Sequence, residues 1–364
     1  MRFLVCLFLL IDVVHAQSLP LNKLTLPPGF TIEIYAQVPN ARQMALGTNN
    51  TVFVGSMSAG KVYAITPNEK NSKAVTVRVI ASGLNMPTAV DFKQGSLYVG
   101  AVDRILRFDN IEKQLDAPPA PVVITSTLPD KAHHGWRFMR FAPDNQLYIG
   151  IGAPCNVCLS KDPRFATISR MQADGSQFEI YAKGIRNTVG FDWDPLTQHL
   201  WFTENGRDWL GDNQPPDEIN LATKPGMNFG FPYCHGKHMI DPAYGNALSC
   251  KVFTPPTYEL PAHVAALGMR FYTGKQFPDN YHHQLFIAEH GSWNRSAKTG
   301  YQVVSAELTQ DRQHINVVKP FITGWLQGET AWGRPVDLLV MPDGSLLISD
   351  DLAGVIYRVR YQQM

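Results

Sequence analysis

The sequence has no excess of either charge and no cluster of five or more Lys and Arg residues. Its 32 basic and 31 acidic residues leave a formal net charge of +1. Surfaces that bind nucleic acid or anionic membranes need clustered positive charge, so we expect neither partner. The apolar run at residues 3–11 is far shorter than the ~20 residues of a membrane-spanning helix, and we expect no stable membrane insertion.

The first sixteen residues have the three parts of a secretory signal peptide. The chain starts with Met1 and Arg2, continues with the apolar run at 3–11 and reaches the small residue Ala16. This arrangement predicts cleavage after Ala16 and an exported protein, either periplasmic or secreted. A buried first strand or helix is the alternative.

Cysteine is scarce, and only four cysteines lie beyond the predicted signal peptide. They form two close pairs, Cys155 with Cys158 and Cys234 with Cys250. An even number in an exported protein predicts two disulfides. Haem attachment of the c type needs a histidine after the second cysteine, and Leu159 stands there instead. A zinc site built from all four cysteines stays open, although neither pair has a partner at zinc-finger spacing.

Long amphipathic helical stretches are also absent, which argues against α/β barrels and doubly wound sheets. A short apolar strand after a turn recurs instead, at residues 52–55, 97–100, 147–150, 200–203, 285–288 and 346–349. Most intervals are close to the ~40–50 residues of a four-stranded propeller blade.

The repeat predicts an all-β fold, a six-bladed β-propeller with four-stranded antiparallel blades around a central channel. We expect one domain over residues 17–364, with a long insertion at about residues 206–262. A pair of β-sandwiches or a jelly roll is the alternative, but neither explains six copies.

The position before the first strand of each blade should face the channel. The residues there are Arg42, Met86 with Pro87, His133 with His134, Arg186 with Asn187, His263, and Arg334. This set contains three arginines and no carboxylate, which predicts an anionic ligand. Guanidinium groups bind carboxylates through two parallel hydrogen bonds and stack on planar rings. Pyrroloquinoline quinone (PQQ), a planar quinone with three carboxylates, matches this lining. For each arginine, an ion pair between blades is the alternative.

A second group of residues indicates calcium. Gly206 follows a strand end, where glycine permits exposed backbone carbonyls. Calcium takes oxygen ligands, backbone carbonyls among them. Asp217 and Glu218 add two carboxylates that we expect in the inserted loop. A solvated loop or a turn cap is the alternative for this pair.

Five stretches of the chain, taken in order, resemble the soluble PQQ-dependent sugar dehydrogenases, especially their sorbosone- and pyranose-dehydrogenase-like branch. The stretches are HHGWR at 133–137, GIRN at 184–187, DEIN at 217–220, FYTG at 271–274 and EHGSWNR at 289–295. The resemblance runs from residue 26 to residue 357, nearly the whole predicted mature chain.

The resemblance implies a role for each channel residue. His133 is similar to the catalytic base of the family, and the residues implied for PQQ are Arg42, Arg186, Asn187, His263 and Arg334. Glucose-dehydrogenase relatives carry a glutamine where this chain has Met86, and an arginine where it has Trp332. Arg42 and His263 are expected to compensate, and glucose itself is not the expected substrate.

The resemblance also implies two calcium sites. The carbonyls of Gly206 and Arg207 are similar to the pair that holds the catalytic calcium, although relatives have a proline in place of Arg207. Glu218 and the carbonyl of Phe229 are similar to a second, structural site.

The expected function is therefore PQQ- and calcium-dependent oxidation of an aldose, pyranose or sugar-derived aldehyde by hydride transfer to the quinone. The electrons should leave to a separate acceptor, a quinone or a redox carrier, because the chain has no haem motif. Two alternatives stay open: a calcium-dependent lactonase-type propeller hydrolase, and a non-catalytic propeller binding module. His263 is the alternative base.

Overall fold

Short β-strands make up most of the described chain, which comprises residues 19–68, 71–245 and 249–362 of a computed structural model. Single-turn 3-10 helices occur at Leu21–Lys23, Ile111–Lys113, Cys250–Val252 and Asp279–Tyr281. The predicted signal peptide, residues 1–16, lies outside the described residues. Within those residues, no helix has the length and apolar character needed to cross a membrane.

The described strands number 29. In chain order they are β1 (Phe30–Gln37), β2 (Ala41–Leu46), β3 (Val52–Ser56), β4 (Val62–Asn68), β5 (Asn71–Ala81), β6 (Ala89–Lys93), β7 (Ser96–Gly100), β8 (Ile105–Phe108), β9 (Val122–Thr125), β10 (Met139–Phe141), β11 (Leu147–Ile151), β12 (Thr167–Met171), β13 (Glu179–Lys183), β14 (Phe191–Trp193), β15 (Leu200–Glu204), β16 (Asp217–Ala222), β17 (Met227–Asn228), β18 (Cys234–His235), β19 (Met239–Ile240), β20 (Tyr258–Leu260), β21 (Ala266–Phe271), β22 (Leu285–Glu289), β23 (Gln302–Leu308), β24 (Ile315–Ile322), β25 (Leu326–Gln327), β26 (Thr330–Ala331), β27 (Pro335–Val340), β28 (Leu346–Asp350) and β29 (Val355–Tyr361).

These strands form six four-stranded antiparallel blades, which confirms the predicted propeller. Blade 1 is β2–β5, blade 2 is β6–β9 and blade 3 is β10–β13, with β17 added in parallel to its outer edge. Blade 4 is β14, β15, β16 and β20, and blade 5 is β21–β24. Blade 6 is β27, β28, β29 and β1, so the first strand of the chain closes the ring beside the last.

The recurring apolar segments are the second strands of the blades. In five blades all five residues of this strand are buried (β3, β11, β15, β22 and β28), because neighbouring blades cover both of its faces. The largest apolar cluster lies between blades 5 and 6 and includes Tyr272, Phe286, Trp325 and Tyr357, none of them exposed. Burial of each such side chain contributes about 1.5–3 kcal/mol.

The segment expected as a long insertion contains two regular strands of blade 4. Strand β16 pairs with β15 on one side and with β20 on the other. Asp217 and Glu218 therefore lie on a fully buried strand, and their predicted position in a loop is wrong. Their polar side chains do not fit the pattern of a buried strand, because the N–H groups of Gly206 and Ala265 that satisfy Asp217 are distant in sequence. The remaining part, residues 223–257, carries the hairpin β18–β19 and the Cys234–Cys250 disulfide.

Candidate functional site

A cavity of about 340 Å³ lies where the first strands of five blades begin. Seven residues predicted to face the channel line it: Arg42, His133, His134, Arg186, Asn187, His263 and Arg334. Met86 and Pro87 of blade 2 do not. The volume lies at the lower end of the ~300–1,000 Å³ that small-molecule sites span. The starts of the first strands of blades 1, 3, 4, 5 and 6 thus converge on one site, and that of blade 2 does not.

The cavity also contains three carboxylates, Asp208, Asp217 and Asp351. The prediction of a lining without carboxylates is therefore wrong. Asp351 directly follows the second strand of blade 6, and Asp208 follows the second strand of blade 4. The repeat points only to the starts of first strands, whereas Asp208 and Asp351 follow second strands and Asp217 starts a third strand.

Asp351 is shared by three cationic or potentially cationic side chains. Its carboxylate accepts from Arg42 Nη1 at 3.1 Å, from Arg334 Nε at 3.1 Å and from His290 Nε2 at 3.0 Å. Burial opposes ionisation of Asp351, but His290, Arg42 and Arg334 outweigh it and hold its pKa well below the usual value. Asp351 therefore fixes two of the predicted cofactor arginines from blades 1 and 6.

Arg186 is the most constrained of the three arginines. Its side chain is buried, and its Nη2 donates to Asp208 Oδ2 at 2.9 Å while its Nη1 donates to the Asn205 carbonyl at 3.1 Å. Its backbone N–H donates to Glu204 Oε1 at 2.6 Å. The remaining contacts of its guanidinium are with Asn156. Blade 4 thus presents Arg186 in one orientation.

His133 and His134 are in contact at the start of blade 3, with ring centroids 4.1 Å apart and ring planes tilted by 57°. His133 is exposed to the cavity, whereas His134 is buried. Burial and the nearby Arg186 lower the pKa of His133 below its ordinary value, so its imidazole is neutral at pH 7. His134 Nδ1 lies 2.9 Å from the Ala153 carbonyl, which can only accept, so this nitrogen carries the proton.

His263 and Asn187 complete the predicted polar lining. His263 Nε2 donates to the Gly211 carbonyl at 2.8 Å, so that nitrogen is committed to holding a loop. Asn187 Nδ2 is 3.4 Å from Asn205 Oδ1. Asn187 Oδ1 is buried and has no hydrogen-bond partner among the described residues. The amide oxygen of Asn187 is therefore an unsatisfied acceptor beside the cavity.

The residues predicted to bind the catalytic calcium lie just after β15. Gly206 lines the cavity, and its N–H donates to Asp217 Oδ1 at 2.7 Å. The Arg207 side chain turns away to Asp241, with Nη1 at 2.6 Å from Oδ2. Within the described ranges, no hydrogen bond reaches the carbonyl oxygen of either Gly206 or Arg207. These two carbonyls remain available as ligands.

Glu218 and Phe229, predicted for the structural calcium, lie outside the cavity lining. Glu218 is opposite Glu204 in the β15–β16 pair, and both are buried. Burial raises the pKa of Glu218 to about 7 and that of Glu204 well above its usual value. Glu204 Oε2 and Asn220 Oδ1, both buried, lack hydrogen-bond partners in the part of the chain that is described. This cluster of oxygen atoms is incompletely neutralised by the protein.

The described residues contain no group of three or more His, Cys, Asp or Glu side chains arranged to hold a metal ion. The four cysteines pair as predicted, Cys155 with Cys158 and Cys234 with Cys250, with Cα–Cα distances of 6.1 and 5.7 Å. This pairing leaves none of the four thiolates for the alternative zinc site.

Two tryptophans missed by the sequence reasoning stand at the rim. Trp293 lines the cavity, and the Trp209 ring packs edge-on against the Trp293 ring, with centroids 5.4 Å apart. They are 69% and 67% exposed, unusual for residues of this size. The signal was present in the SWNR segment, but nothing local indicated that the two loops meet.

Comparison with protein-family models matches residues 100–292 to the glucose/sorbosone dehydrogenase family. A second model, described as TrAA12-like, matches residues 240–362. The chain is 34% identical to an uncharacterised protein of Borreliella burgdorferi, over 100% of this chain and 97% of that protein.

Two solved structures share the fold over nearly the whole chain. The holo form of the PQQ domain of pyranose dehydrogenase from Coprinopsis cinerea superimposes with a TM-score of 0.75 at 18% identity, covering 93% of this chain and 97% of that one. The calcium structure of the carbohydrate-active family AA12 enzyme from Trichoderma reesei gives a TM-score of 0.79 at 16% identity, with 93% and 97% coverage. At these identities the likeness concerns the fold alone.

Proposed function

The chain belongs to the glucose/sorbosone dehydrogenase family, and from this premise we propose that it is a PQQ- and calcium-dependent dehydrogenase. Its substrate in this proposal is an aldose, a pyranose or a sugar-derived aldehyde. One observation carries the proposal: arginines from three blades and histidines from two others line a single cavity. A non-catalytic binding module has no need of that convergence.

The donors in the cavity fit a flat anion rich in acceptors. A guanidinium has five N–H donors; Arg42 and Arg334 each use one on Asp351. The Arg334 side chain is 35% exposed, so its remaining donors are accessible. Asp351 offsets part of this positive charge, and the fit therefore depends on hydrogen-bond directions more than on net charge.

We assign the proton transfer to His133. When bound, PQQ supplies the two-electron acceptor for the hydride of the sugar carbon, and calcium supplies Lewis-acid polarisation. The neutral imidazole of His133 takes the proton of the sugar hydroxyl, because its lowered pKa keeps a lone pair free at pH 7. Arg42, Arg186 and Arg334 would hold the carboxylates of the cofactor, and Trp293 offers a pyranose ring an apolar face.

Calcium is proposed at the two sites that the free oxygen atoms favour. The carbonyls of Gly206 and Arg207 accept no hydrogen bond within the described part of the chain. Near β16, the facing pair Glu204 and Glu218 would otherwise bury like charges side by side. A divalent ion neutralises such a pair and satisfies the free oxygen atoms. We further propose export, consistent with two disulfides, and a separate quinone or redox carrier as electron acceptor.

Reconstitution tests the proposal. The protein should gain the absorption band of PQQ when PQQ and Ca²⁺ are added, and should then reduce a dye with sugars from a broad panel. Arg334→Ala should weaken PQQ by about 10–150-fold, the value of a charge-assisted pair. Arg312→Ala, which removes a buried ion pair with Asp194 outside the cavity, is the control. Absence of PQQ binding together with lactone hydrolysis would favour the lactonase, and sugar binding without turnover would favour the binding module.

A further inference from the structure

The turn closed by the Cys155–Cys158 disulfide lies directly behind the cavity, in the segment between β11 and β12. Asn156, inside this turn, contacts Arg186 twice. Arg186 Nε donates to the Asn156 backbone carbonyl at 2.8 Å, and Arg186 Nη2 donates to Asn156 Oδ1 at 2.9 Å. Arg186 is 3% exposed, so water cannot readily replace these two acceptors.

Asn156 also holds the loop that carries Asp208. The Asp208 N–H donates to Asn156 Oδ1 at 2.8 Å, and Asn156 Nδ2 donates to the Asp208 carbonyl at 3.2 Å. The amide oxygen thus accepts two donors while the amide nitrogen donates to a carbonyl, which defines the side-chain orientation. Arg186 and Asp208 also pair with each other, so the three residues form one closed network across blades 3 and 4.

The same segment contacts one histidine of the His133–His134 pair. The Ala153 carbonyl accepts from His134 Nδ1 at 2.9 Å, and the Ala153 N–H donates to the Arg186 carbonyl at 2.7 Å. Residues 153–156 therefore connect the histidine pair of blade 3 with Arg186 of blade 4.

The disulfide restricts this turn more than it stabilises the whole fold. Its cysteines are three residues apart, so it removes little entropy from the unfolded chain compared with a longer loop. In the folded protein, however, both ends of the turn that contains Asn156 are covalently joined. Its main consequence is local, on the positions of the Asn156 amide and the Cys155 backbone.

We propose that Asn156 is a positioning residue, which orients Arg186 and Asp208, and that the Cys155–Cys158 disulfide holds Asn156 in place. This inference rests on the proposed function, since Arg186 is one of the residues assigned there to the cofactor. Asn156 itself lies outside the cavity lining. Its effect on the site is therefore transmitted through these neighbours.

The first test compares Asn156→Ala and Asn156→Asp with Asp343→Ala. Asp343 is the matched control, because it also accepts from an arginine and from a backbone N–H in a turn, but on blade 6 and away from the cavity. Asn156→Ala should weaken PQQ binding by about 10–100-fold in an absorbance titration, since the bond from Arg186 Nη2 to the amide oxygen, which helps to orient the guanidinium, is lost. Asn156→Asp keeps the acceptor and should recover part of the affinity. Asp343→Ala should leave the titration unchanged.

A second measurement is independent of the cofactor. The Nε–H of Arg186 should give a slowly exchanging NMR signal in the wild type, identified by its absence in Arg186→Lys. It should exchange faster in Asn156→Ala, because loss of the side-chain bonds to Arg186 Nη2 and to Asp208 loosens the turn whose backbone carbonyl accepts this N–H. If the wild type fails to bind PQQ but the Arg186 Nε–H exchanges faster in Asn156→Ala, the proposed function fails and the positioning role stands. Unchanged exchange in Asn156→Ala, or an unchanged PQQ titration where the wild type binds it, overturns the positioning role.

The disulfide is tested by Cys155→Ala with Cys158→Ala. This double variant should weaken PQQ binding in the same direction as Asn156→Ala but less, because the turn that contains Asn156 is no longer covalently closed. Combined with Asn156→Ala, the losses should be less than additive, as expected for groups acting through one network. Full additivity, or a wild-type PQQ titration in the cysteine variant, overturns the disulfide's part.

Discussion

At the residue scale, the cavity shows how neighbours set the chemistry of a side chain. Asp351 stays ionised although it is buried, because Arg42, Arg334 and His290 surround it. Among the described residues Glu289 has no cationic partner, and its Oε2 accepts only from Gln302 Nε2 at 2.8 Å. Burial consequently raises the pKa of Glu289 to about 7. The pKa values of two buried carboxyl groups are thus shifted in opposite directions, for reasons visible only in three dimensions.

Replacing His133 by alanine should separate proton transfer from cofactor binding. Turnover of the reconstituted protein should fall by about 10²–10⁴, the usual contribution of a general base, while the PQQ titration changes little. Because the pKa of His133 lies below its ordinary value, wild-type activity should persist to a lower pH than a free imidazole would allow. His263→Ala is the comparison, since His263 Nε2 is already committed to Gly211. A larger loss in His263→Ala would assign the base to blade 5.

Glu289→Gln should change the pH dependence of stability. The raised pKa means that the folded protein binds this proton more tightly than the unfolded chain does. The carboxyl group therefore favours folding most below pH 4.5, and that contribution is lost as pH rises towards 7. At pH 8 the glutamine variant should be the more stable, by at most about 3 kcal/mol, and near pH 4 the two should be alike. Urea unfolding at both pH values, with exposed Glu307→Gln as control, measures this; an equal difference at both would contradict it.

At the element scale, the second strands of the blades were the predictable parts of the fold. Strand β15 is covered on both faces, and the apolar run at residues 200–202 with which it begins stands out without structural information. Strand β16 is equally buried but reads Asp-Glu-Ile-Asn, because Asp217 is satisfied by the N–H groups of Gly206 and Ala265. Those partners are 11 and 48 residues away in sequence, and no local pattern could reveal them.

The site followed the same division. The start of each first strand is a repeated position, so the arginines and histidines there could be predicted together. Asp351 and His290 come from the ends of second strands, where the repeat itself is apolar and gives no reason to look. Asn156 lies in a turn whose contacts with Arg186 depend on how blades 3 and 4 pack. Cross-blade packing is the information that a single repeat lacks.

The two disulfides should differ in what their removal does. Loop entropy gives about 3 kcal/mol for a loop like that of Cys234–Cys250 and about 2 kcal/mol for a loop as short as that of Cys155–Cys158. Alanine at both positions of the longer loop should therefore lower the unfolding temperature more. It should also weaken calcium binding, since this loop follows strand β16, which carries Glu218 of the proposed calcium site. Calcium-dependent thermal unfolding of both double variants is the measurement. Equal calcium dependence in the two variants would contradict the assignment.

At the scale of the whole molecule, the same hydrogen bond recurs at every second interface, or seam, between neighbouring blades of the ring. Asp91, Asp192 and Asp337 lie on the first strands of blades 2, 4 and 6. Each accepts a backbone N–H from the first strand of the next blade: Phe141 at 2.6 Å, Phe271 at 3.0 Å and Met44 at 2.8 Å. All three carboxylates lie near the axis, so the ring is held together at its centre as well as by apolar packing further out.

The seam between blades 6 and 1 is where the chain ends meet, and Asp337→Ala tests whether it behaves like the others. The substitution leaves the buried N–H of Met44 without its acceptor and removes the carboxylate 3.8 Å from buried Arg270. Loss of both should cost about 2–5 kcal/mol. Asp192→Ala at the seam between blades 4 and 5 should cost a similar amount. The pairing of β1 with β29 closes the ring within blade 6, so we expect the seam beside it to be as stable as the others. Urea unfolding measures the total change in the free energy of unfolding, and hydrogen exchange at Met44 and Phe271 measures the local effects.

If Asp337→Ala released blades 6 and 1 in a separate early transition while Asp192→Ala unfolded the whole protein at once, the ring would have a weak seam at its closure.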